Sequence, residues 1–168
     1  ISTFQRHSLI DEIAIVANEA YHHKIGEYIV KNKFSKVKKI LMSGAERHYS
    51  SLSAIKAYEN DEECNLIFHD AVRPLISSQI IDRVIIALQD YEAIDVAIPS
   101  TDTIIQVDSD NTIMGIPLRR MLRRGQTPQG FRLNTIKTAY EKALKDPDFI
   151  TTDDCGVAVS YTHLRAHE

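Results

Sequence analysis

Short runs rich in isoleucine and valine alternate with longer amphipathic stretches, and this alternation constrains the fold more than any other feature of the chain. Four such runs precede Pro99. A short apolar run is typical of a buried strand, and an amphipathic stretch between two runs is typical of a crossover helix. The order predicts an α/β domain with a mainly parallel sheet. The predicted strands are residues 10–17, 38–42, 64–68 and 94–98, and the predicted helices are 1–7, 20–34, 50–58, 77–90 and 133–144.

The composition excludes several classes of protein. A chain of 168 residues, 43% of them hydrophobic, can bury a core as one domain. Cys64 and Cys155 are far apart and outside any zinc-binding spacing, which predicts reduced thiols and a cytoplasmic location. No apolar run approaches the ~20 residues of a membrane span, so we expect no membrane partner. The net charge of −3 argues against a nucleic-acid partner.

Two β-rich runs after Pro99 flank an Asp/Asn turn at residues 108–111 and predict a β-hairpin. If this hairpin, about residues 102–118, projects from the domain, it needs a partner subunit, because two exposed strands are rarely stable alone. A hairpin folded flat on its own domain is the alternative.

Ligands bind outside the carboxyl ends of parallel strands, so the residues after each apolar run are candidates for chemistry. Asp70 and Arg73 follow the third run: the first could bind Mg²⁺ and the second could fork onto a phosphate. The alternative is a turn in which the two residues simply pair. After the second run, Gly44 allows close backbone approach to a flat ligand, and Ser50 lies where a helix N-cap would face an anion. A plain strand-to-helix turn would explain the same residues.

Two further stretches carry charge. Four arginines lie within residues 119–124 and form either a phosphate site or a solvated surface. Residues 151–154 can begin a helix, with Thr152 as its cap and two acids favoured by the helix dipole. That second arrangement needs no ligand.

Five motifs occur in a fixed order, and they are specific only when taken together. They are Gly44-x-x-Arg47-x-x-Ser50, His69-Asp-Ala-Val-Arg-Pro74, Pro99-x-x-Asp102-Thr103, Arg119 eight residues before Thr127-Pro-Gln129, and Thr152-Asp153. The series resembles the family containing 2-C-methyl-D-erythritol 4-phosphate cytidylyltransferase and D-ribitol 5-phosphate cytidylyltransferase, over about residues 1–159. The resemblance implies a Rossmann-like fold of the nucleotide-diphospho-sugar transferase type, with helices on both faces of the sheet and a projecting hairpin arm.

The resemblance also implies a reaction: CMP passes from CTP to a small polyol phosphate, either D-ribitol 5-phosphate or 2-C-methyl-D-erythritol 4-phosphate, and pyrophosphate is released. Mg²⁺ would bind at Asp70, and Arg73 and Arg119 would be the catalytic cations. The hairpin would be the arm of a homodimer that carries Thr103 and Arg119 into the partner's site. The implied nucleotide-binding residues are Gly44, Ala45, Ser50, Asp70 and Ala71, and the implied acceptor-phosphate residues are Thr103, Arg119, Thr127 and Thr152.

The chain departs from the family pattern at both ends. The family's N-terminal glycine-rich loop and lysine have no counterpart among the six glycines, so we expect the first strand and its loop to be absent and this stretch alone to be inactive. Residues 160–168 match nothing in the family and are interpreted as a foreign tail. A non-catalytic nucleotide-binding or dimerisation module of the same fold is the second functional hypothesis.

The choice of acceptor rests on the residues around the arginine cluster. Ile116–Arg119 and the pair Gly125-Gln126 resemble the ribitol phosphate branch. The methylerythritol branch usually has Asp where Leu118 stands. We therefore expect ribitol phosphate.

Overall fold

A computed structural model describes residues 1–61, 64–151 and 153–162, and these form an α/β fold. The helices are α1 (Ser2–Arg6), α2 (His22–Lys31), α3 (Arg47–Ala57), α4 (Ser78–Asp90), α5 (Leu133–Ala143) and α6 (Asp154–Thr162). The strands are β1 (Ile13–Ala17), β2 (Val37–Met42), β3 (Asn65–Phe68), β4 (Ala93–Pro99), β5 (Gln106–Val107), β6 (Ile113–Gly115) and β7 (Arg123–Arg132). Within these ranges every helix is too short or too polar to cross a bilayer.

The strands form three sheets. β1 and β2 pair in parallel, as predicted, from Ile13 opposite Val37 to Ala17 opposite Met42. β7 lies between β3 and β4 and runs antiparallel to both, so β3 and β4 point in the same direction. The sequence did not predict β7. Its residues include two glycines and Pro128, which have low strand propensity, and the peptide bond before Pro128 is cis.

Helices cover both faces of the β3–β7–β4 sheet, as the fold class predicts. Successive side chains of a strand point to opposite faces. On one face a Cβ at Gly130 would lie 2.6 Å from the Cγ1 of Val84, so α4 packs directly against the β7 backbone. On the other face Phe131 is fully buried in the main core. That core is formed by α3, β3, β7, α5 and α6.

The helix boundaries follow local chemistry. α4 begins after Ser77, whose hydroxyl accepts a hydrogen bond from the Ile80 N–H at 3.4 Å, and its buried residues Ile81, Val84 and Leu88 recur at helical spacing. α3 begins at Arg47, earlier than predicted. Ser50 therefore lies inside the first turn of α3, and the prediction that it occupies the N-cap is wrong.

The hairpin of β5 and β6 projects from the domain. The chain leaves the β4–β7 ladder at Pro99 and returns to it at the paired residue Arg123. Every residue from 101 to 114 is exposed. The Asp108 carboxylate closes its turn by accepting the N–H groups of Asp110 and Thr112, both at 2.9 Å. The alternative of a hairpin folded flat on the domain is therefore wrong.

The predicted tail begins inside a helix. α6 continues through residues 160–162, and the Tyr161 hydroxyl donates to Asp146 Oδ2 at 2.6 Å. Residues 163–168 lie outside the described ranges. The foreign origin of residues 160–168 stays a prediction.

Candidate functional site

The loops that follow β2 and β3 meet through one ion pair. Arg47, the first residue of α3, lies just beyond Gly44, and its Nη1 donates to Asp70 Oδ1 at 2.8 Å. The two loops that the sequence singled out are therefore in direct contact. This contact is the geometric basis of the candidate site.

The loop at Gly44 is built around the absence of a side chain. Its N–H donates to the Ser50 hydroxyl at 3.2 Å, which closes the loop onto the first turn of α3. A Cβ at Gly44 would overlap the Cβ of Tyr49. Gly44 and Ala45 are both exposed, so their backbone is accessible to a ligand. The close approach to Tyr49 therefore requires glycine at position 44. Nucleotide binding by Gly44 and Ala45 stays a prediction.

The carboxylate of Asp70 lies between two guanidinium groups. Arg47 contacts Oδ1 and Arg73 contacts Oδ2, and the Asp70 side chain is 24% exposed. The pair with Arg73 that the sequence offered as an alternative is therefore present. Each carboxylate oxygen keeps a lone pair, because each accepts one of these contacts. Ala71 follows in an exposed turn.

His69 and Thr127 hold the Asp70 loop against β7. His69 Nε2 lies 2.9 Å from the Arg73 carbonyl, which can only accept, so we assign the proton to Nε2. His69 Nδ1 then accepts the Thr127 hydroxyl at 3.1 Å, and the same oxygen accepts the Asp70 N–H at 3.3 Å. Burial lowers the pKa of His69, which favours this neutral form. Thr127, predicted to bind the acceptor phosphate, thus lies beside Asp70 of its own subunit.

Behind Arg47 lies a buried pair that the sequence did not indicate. Arg47 Nη2 donates to Asp154 Oδ2 at 3.4 Å, and the Tyr140 hydroxyl donates to Asp154 Oδ1 at 2.6 Å. Asp154 and Tyr140 are each 1% exposed. Burial, together with the neighbouring Asp154 carboxylate, raises the pKa of Tyr140, so its hydroxyl keeps its proton. Arg47 stood in a motif but had no predicted role.

The two arm residues predicted to bind the acceptor phosphate also contact each other. Arg119 Nη2 donates to the Thr103 hydroxyl at 2.9 Å, and both side chains are exposed. Within the described ranges no hydrogen bond or ion pair joins them to the Asp70 loop. The structure therefore groups Thr103 with Arg119, and Thr127 with Asp70.

Thr152, the remaining predicted residue, lies outside the described residues. Its neighbour Asp153 caps α6, because Asp153 Oδ1 accepts the Gly156 N–H at 2.5 Å. The start of this helix is therefore stabilised by a carboxylate, as the dipole argument anticipates.

The described residues offer no dedicated metal cage. They contain no group of three or more His, Cys, Asp or Glu side chains that could hold an ion together. Mg²⁺ is commonly bound by one or two carboxylates plus phosphate oxygens and water. Asp70, half of whose lone pairs remain open, fits a cation that arrives with a phosphate ligand.

Comparison with known proteins identifies the family. The family model described as "IspD: 2-C-methyl-D-erythritol 4-phosphate cytidylyltransferase" matches residues 1–163. A 2-C-methyl-D-erythritol 4-phosphate cytidylyltransferase of Thermobifida fusca is 41% identical over 157 residues, which are 90% of this chain and 63% of the relative. The bifunctional ribulose 5-phosphate reductase/CDP-ribitol pyrophosphorylase Bcs1 of Haemophilus influenzae is 46% identical over 143 residues, which are 84% of this chain and 30% of the relative.

A solved structure agrees with this assignment. The crystal structure of 4-diphosphocytidyl-2C-methyl-D-erythritol synthase from Anaerococcus prevotii superimposes with a TM-score of 0.86 at 28% identity, covering 96% of this chain and 69% of that one. The chain thus spans 63% of the Thermobifida relative and 30% of the Haemophilus relative. Because the family model matches residues 1–163 of this 168-residue chain, the chain belongs to the 2-C-methyl-D-erythritol 4-phosphate cytidylyltransferase family.

Proposed function

We propose that this chain forms the central part of an enzyme that transfers CMP from CTP to the phosphate of a small polyol phosphate and releases pyrophosphate. The observation that carries the proposal is the contact between Arg47 and Asp70, which brings the two predicted nucleotide loops together. We infer that these loops line one cleft. Membership of a cytidylyltransferase family supports the reaction class.

The proposed reaction needs positioned charge rather than a general base. A phosphate oxygen of the acceptor attacks the α-phosphorus of CTP, the new P–O bond forms, and the bond to the pyrophosphate leaving group breaks. The nucleophile is already an anion, so the residues must orient two polyanions and offset their repulsion. Arg73 lies at the cleft with one described side-chain partner, Asp70, and can turn to a phosphate. The backbone at Gly44 and Ala45 is exposed, and in this proposal it would meet the cytosine base.

A divalent cation, Mg²⁺, belongs to the proposal, with Asp70 as its protein ligand. When bound there with the nucleotide phosphates, it would neutralise charge on the leaving pyrophosphate. Asp70→Asn should remove most Mg²⁺-dependent CTP binding and leave the fold intact. Calorimetric titration of CTP with and without Mg²⁺ measures this.

We also propose a homodimer held by the arm. Exposed apolar side chains cover the hairpin, far more than a solvated strand pair needs. They are Ile104, Ile105, Val107, Ile113, Met114, Ile116, Leu118 and Met121. A second copy that covers this face would bring Thr103 and Arg119 to its neighbour's cleft, where they would bind the acceptor phosphate together with that subunit's Thr127 and Thr152.

The proposed acceptor is D-ribitol 5-phosphate, with 2-C-methyl-D-erythritol 4-phosphate as the second candidate. The Haemophilus relative named a CDP-ribitol pyrophosphorylase is 46% identical, and the Thermobifida relative named for methylerythritol phosphate is 41% identical. Leu118 precedes the arm arginine, which matches the ribitol pattern. Parallel assays of an active, completed protein with both acceptors decide the choice. A higher kcat/KM for 2-C-methyl-D-erythritol 4-phosphate would overturn the assignment of D-ribitol 5-phosphate.

Pyrophosphate release from CTP tests the activity itself. Two proteins are needed: the 168-residue chain, and a completed chimera in which residues 1–159 carry the flanking segments of the Thermobifida relative. We expect turnover from the chimera and none from the chain. CTP binding without turnover by the chimera would favour the non-catalytic module. Turnover by the 168-residue chain alone would show that the N-terminal glycine-rich loop of the family is not needed.

A cytoplasmic location completes the proposal. Cys64 and Cys155 are both free thiols, and burial raises the pKa of each. Thiols of this kind persist in a reducing compartment.

A further inference from the structure

Arg47 joins three elements that are distant in sequence. It begins α3, its Nη1 reaches Asp70 after β3, and its Nη2 reaches Asp154 at the start of α6. Neither carboxylate could hold the guanidinium in this orientation alone, because rotation about the Cζ–Nε bond would exchange the two Nη groups. Together they fix which nitrogen faces Asp70.

The Asp154 end of this contact is itself fixed. Asp154 is buried, and its second oxygen accepts the Tyr140 hydroxyl at 2.6 Å from the packed face of α5. A buried carboxylate held on both oxygens has little freedom to turn. The orientation of Arg47 is therefore set from inside the protein, through Asp154 and Tyr140.

Arg47 and Arg73 contact the same carboxylate but differ in their anchoring. The Arg47 guanidinium bonds to two carboxylates, whereas the described side-chain contacts of Arg73 go to Asp70 alone. An arriving phosphate can draw Arg73 away while Arg47 remains on Asp70 Oδ1. The two arginines thus have separate tasks.

We propose that Arg47 is a positioning residue for cytidylyl transfer: held by Asp154 and Tyr140, it fixes the Asp70 carboxylate in the orientation that receives the cation and nucleotide. This rests on the proposed function, in which Asp70 serves Mg²⁺ and CTP. It assigns a task to the arginine of the Gly44-x-x-Arg47-x-x-Ser50 motif, and it links the start of α6 to the cleft.

The binding test is a double-mutant cycle on the chain, read as the Kd for CTP with Mg²⁺. Arg47→Lys keeps the positive charge but cannot contact both carboxylates with two separate nitrogens. It should weaken CTP binding about 10–100-fold, as loss of a residue that supports a metal ligand does. In an Asp70→Asn background the same substitution should add less than about a twofold loss, because the residue acts through Asp70. Additive losses would mean that Arg47 touches the nucleotide directly and would overturn the proposal.

The kinetic test uses the completed chimera and the matched control Arg83→Lys, an exposed arginine on α4. Arg47→Lys should lower kcat as well as raise the KM for CTP, and Arg83→Lys should match the parent in both. Thermal melts identify a variant that has lost its fold. An Arg47→Lys protein with parent kinetics would refute the positioning role.

A third readout needs neither ligand nor turnover, so it separates this proposal from the proposed function. In ¹⁵N NMR spectra of the chain, the Arg47 guanidinium should give two resolved Nη signals, which Arg47→Lys assigns by removing them. Tyr140→Phe and Asp154→Asn should merge the two signals by freeing rotation. Merged signals in the parent chain would show that Asp154 and Tyr140 do not hold Arg47, and would overturn this proposal even if CTP binds. Resolved signals without CTP binding would refute only the proposed function.

Discussion

Gly44 lies where the chain passes closely beside the first turn of α3, and a side chain there would overlap the Cβ of Tyr49. Gly44→Ala should therefore displace the loop and lower the free energy of unfolding by about 1–3 kcal/mol. It should also weaken CTP binding, because the displaced backbone belongs to the proposed nucleotide site. Urea unfolding and calorimetric titration with CTP and Mg²⁺ measure the two effects.

Gly26→Ala is the matched control for this substitution. Gly26 lies inside α2, and a Cβ there would meet nothing within 4 Å. Alanine is the better helix former, so this variant should gain about 0.5–1 kcal/mol in stability. A Gly44→Ala protein as stable as its parent would contradict the close approach.

His69 makes stability depend on pH with a defined sign. Burial lowers its pKa from the ordinary 6.5, so the unfolded chain binds this proton more readily than the folded chain. The contribution of neutral His69 is therefore complete above pH 6.5 and is lost as the pH falls through the lowered value. We expect the free energy of unfolding to decrease on acidification, and His69→Asn to flatten that decrease. Urea unfolding at steps between about pH 8 and pH 5 measures it.

The control for the pH series is His23→Asn. His23 is exposed on α2, with 88% of its side chain accessible. This substitution should leave the pH dependence as in the parent chain. Equal flattening by both substitutions would refute a special role for His69.

Residues that lie near strand ends were predictable from the sequence, whereas the residues that hold them in place were not. Asp70, Arg73 and Gly44 were predicted because each closely follows an apolar run. The contact between Arg47 and Asp154 could not be predicted, since it joins positions 107 apart that no spacing rule connects. The same limit applies to the buried Tyr140, which looked like an ordinary apolar position of a helix.

β7 shows why one element escaped prediction while the helices did not. The buried face of α4 repeats at helical spacing, and that periodicity is visible in the sequence. β7 has no comparable pattern: it is buried only from residue 128 to residue 131, and its other residues are polar or glycine. Tertiary position, between β3 and β4, makes it a strand despite low propensity.

The packing of α4 on β7 gives a prediction for this layer. In Gly130→Ala the new methyl group would lie 2.6 Å from Val84 Cγ1 and 3.1 Å from Leu88 Cδ1. This overpacking should cost about 1–3 kcal/mol of stability. Adding Val84→Ala should recover part of the loss, because it makes room for the methyl group. Urea unfolding of the single and double variants measures the coupling.

Gly115→Ala in the arm is the matched control, since a Cβ there would meet nothing within 4 Å. It should change stability by less than about 0.5 kcal/mol. If Gly130→Ala were equally neutral, α4 would not approach β7 as closely as the structure indicates.

For the molecule as an assembly, the proposed shared site predicts complementation between inactive subunits. In the completed chimera, Arg73→Ala removes the cleft cation and Arg119→Ala removes the arm cation, so each homodimer should be inactive. A mixed dimer contains one site with both arginines intact. Random mixing of equal amounts should then restore about one quarter of the parent activity. Pyrophosphate release before and after mixing measures it.

Mixing each variant with itself provides the control and should restore nothing. If co-purification of differently tagged variants establishes that mixed dimers form, and activity stays absent, Arg119 acts within its own subunit. The shared site would then be wrong, while the activity of the parent chimera would stand.

The overall architecture was predictable because it depends on periodicity and order. Alternating apolar runs and amphipathic stretches predicted the α/β class, and the Asp/Asn turn predicted the hairpin. The arrangement of the ladders was not predictable, since pairing of β7 with both β3 and β4 depends on contacts between segments distant in sequence. Local pattern specifies elements, and packing decides their neighbours.

The position of β7 has a consequence during synthesis on the ribosome. In the described part of the chain, β3 and β4 each pair with β7 and with no other strand, yet β7 is translated last of the three. A nascent chain therefore carries two unpaired strands, β3 and β4, until residue 132 has left the exit tunnel. Chaperone protection of the growing polypeptide should concentrate in the interval between translation of β3 and release of β7.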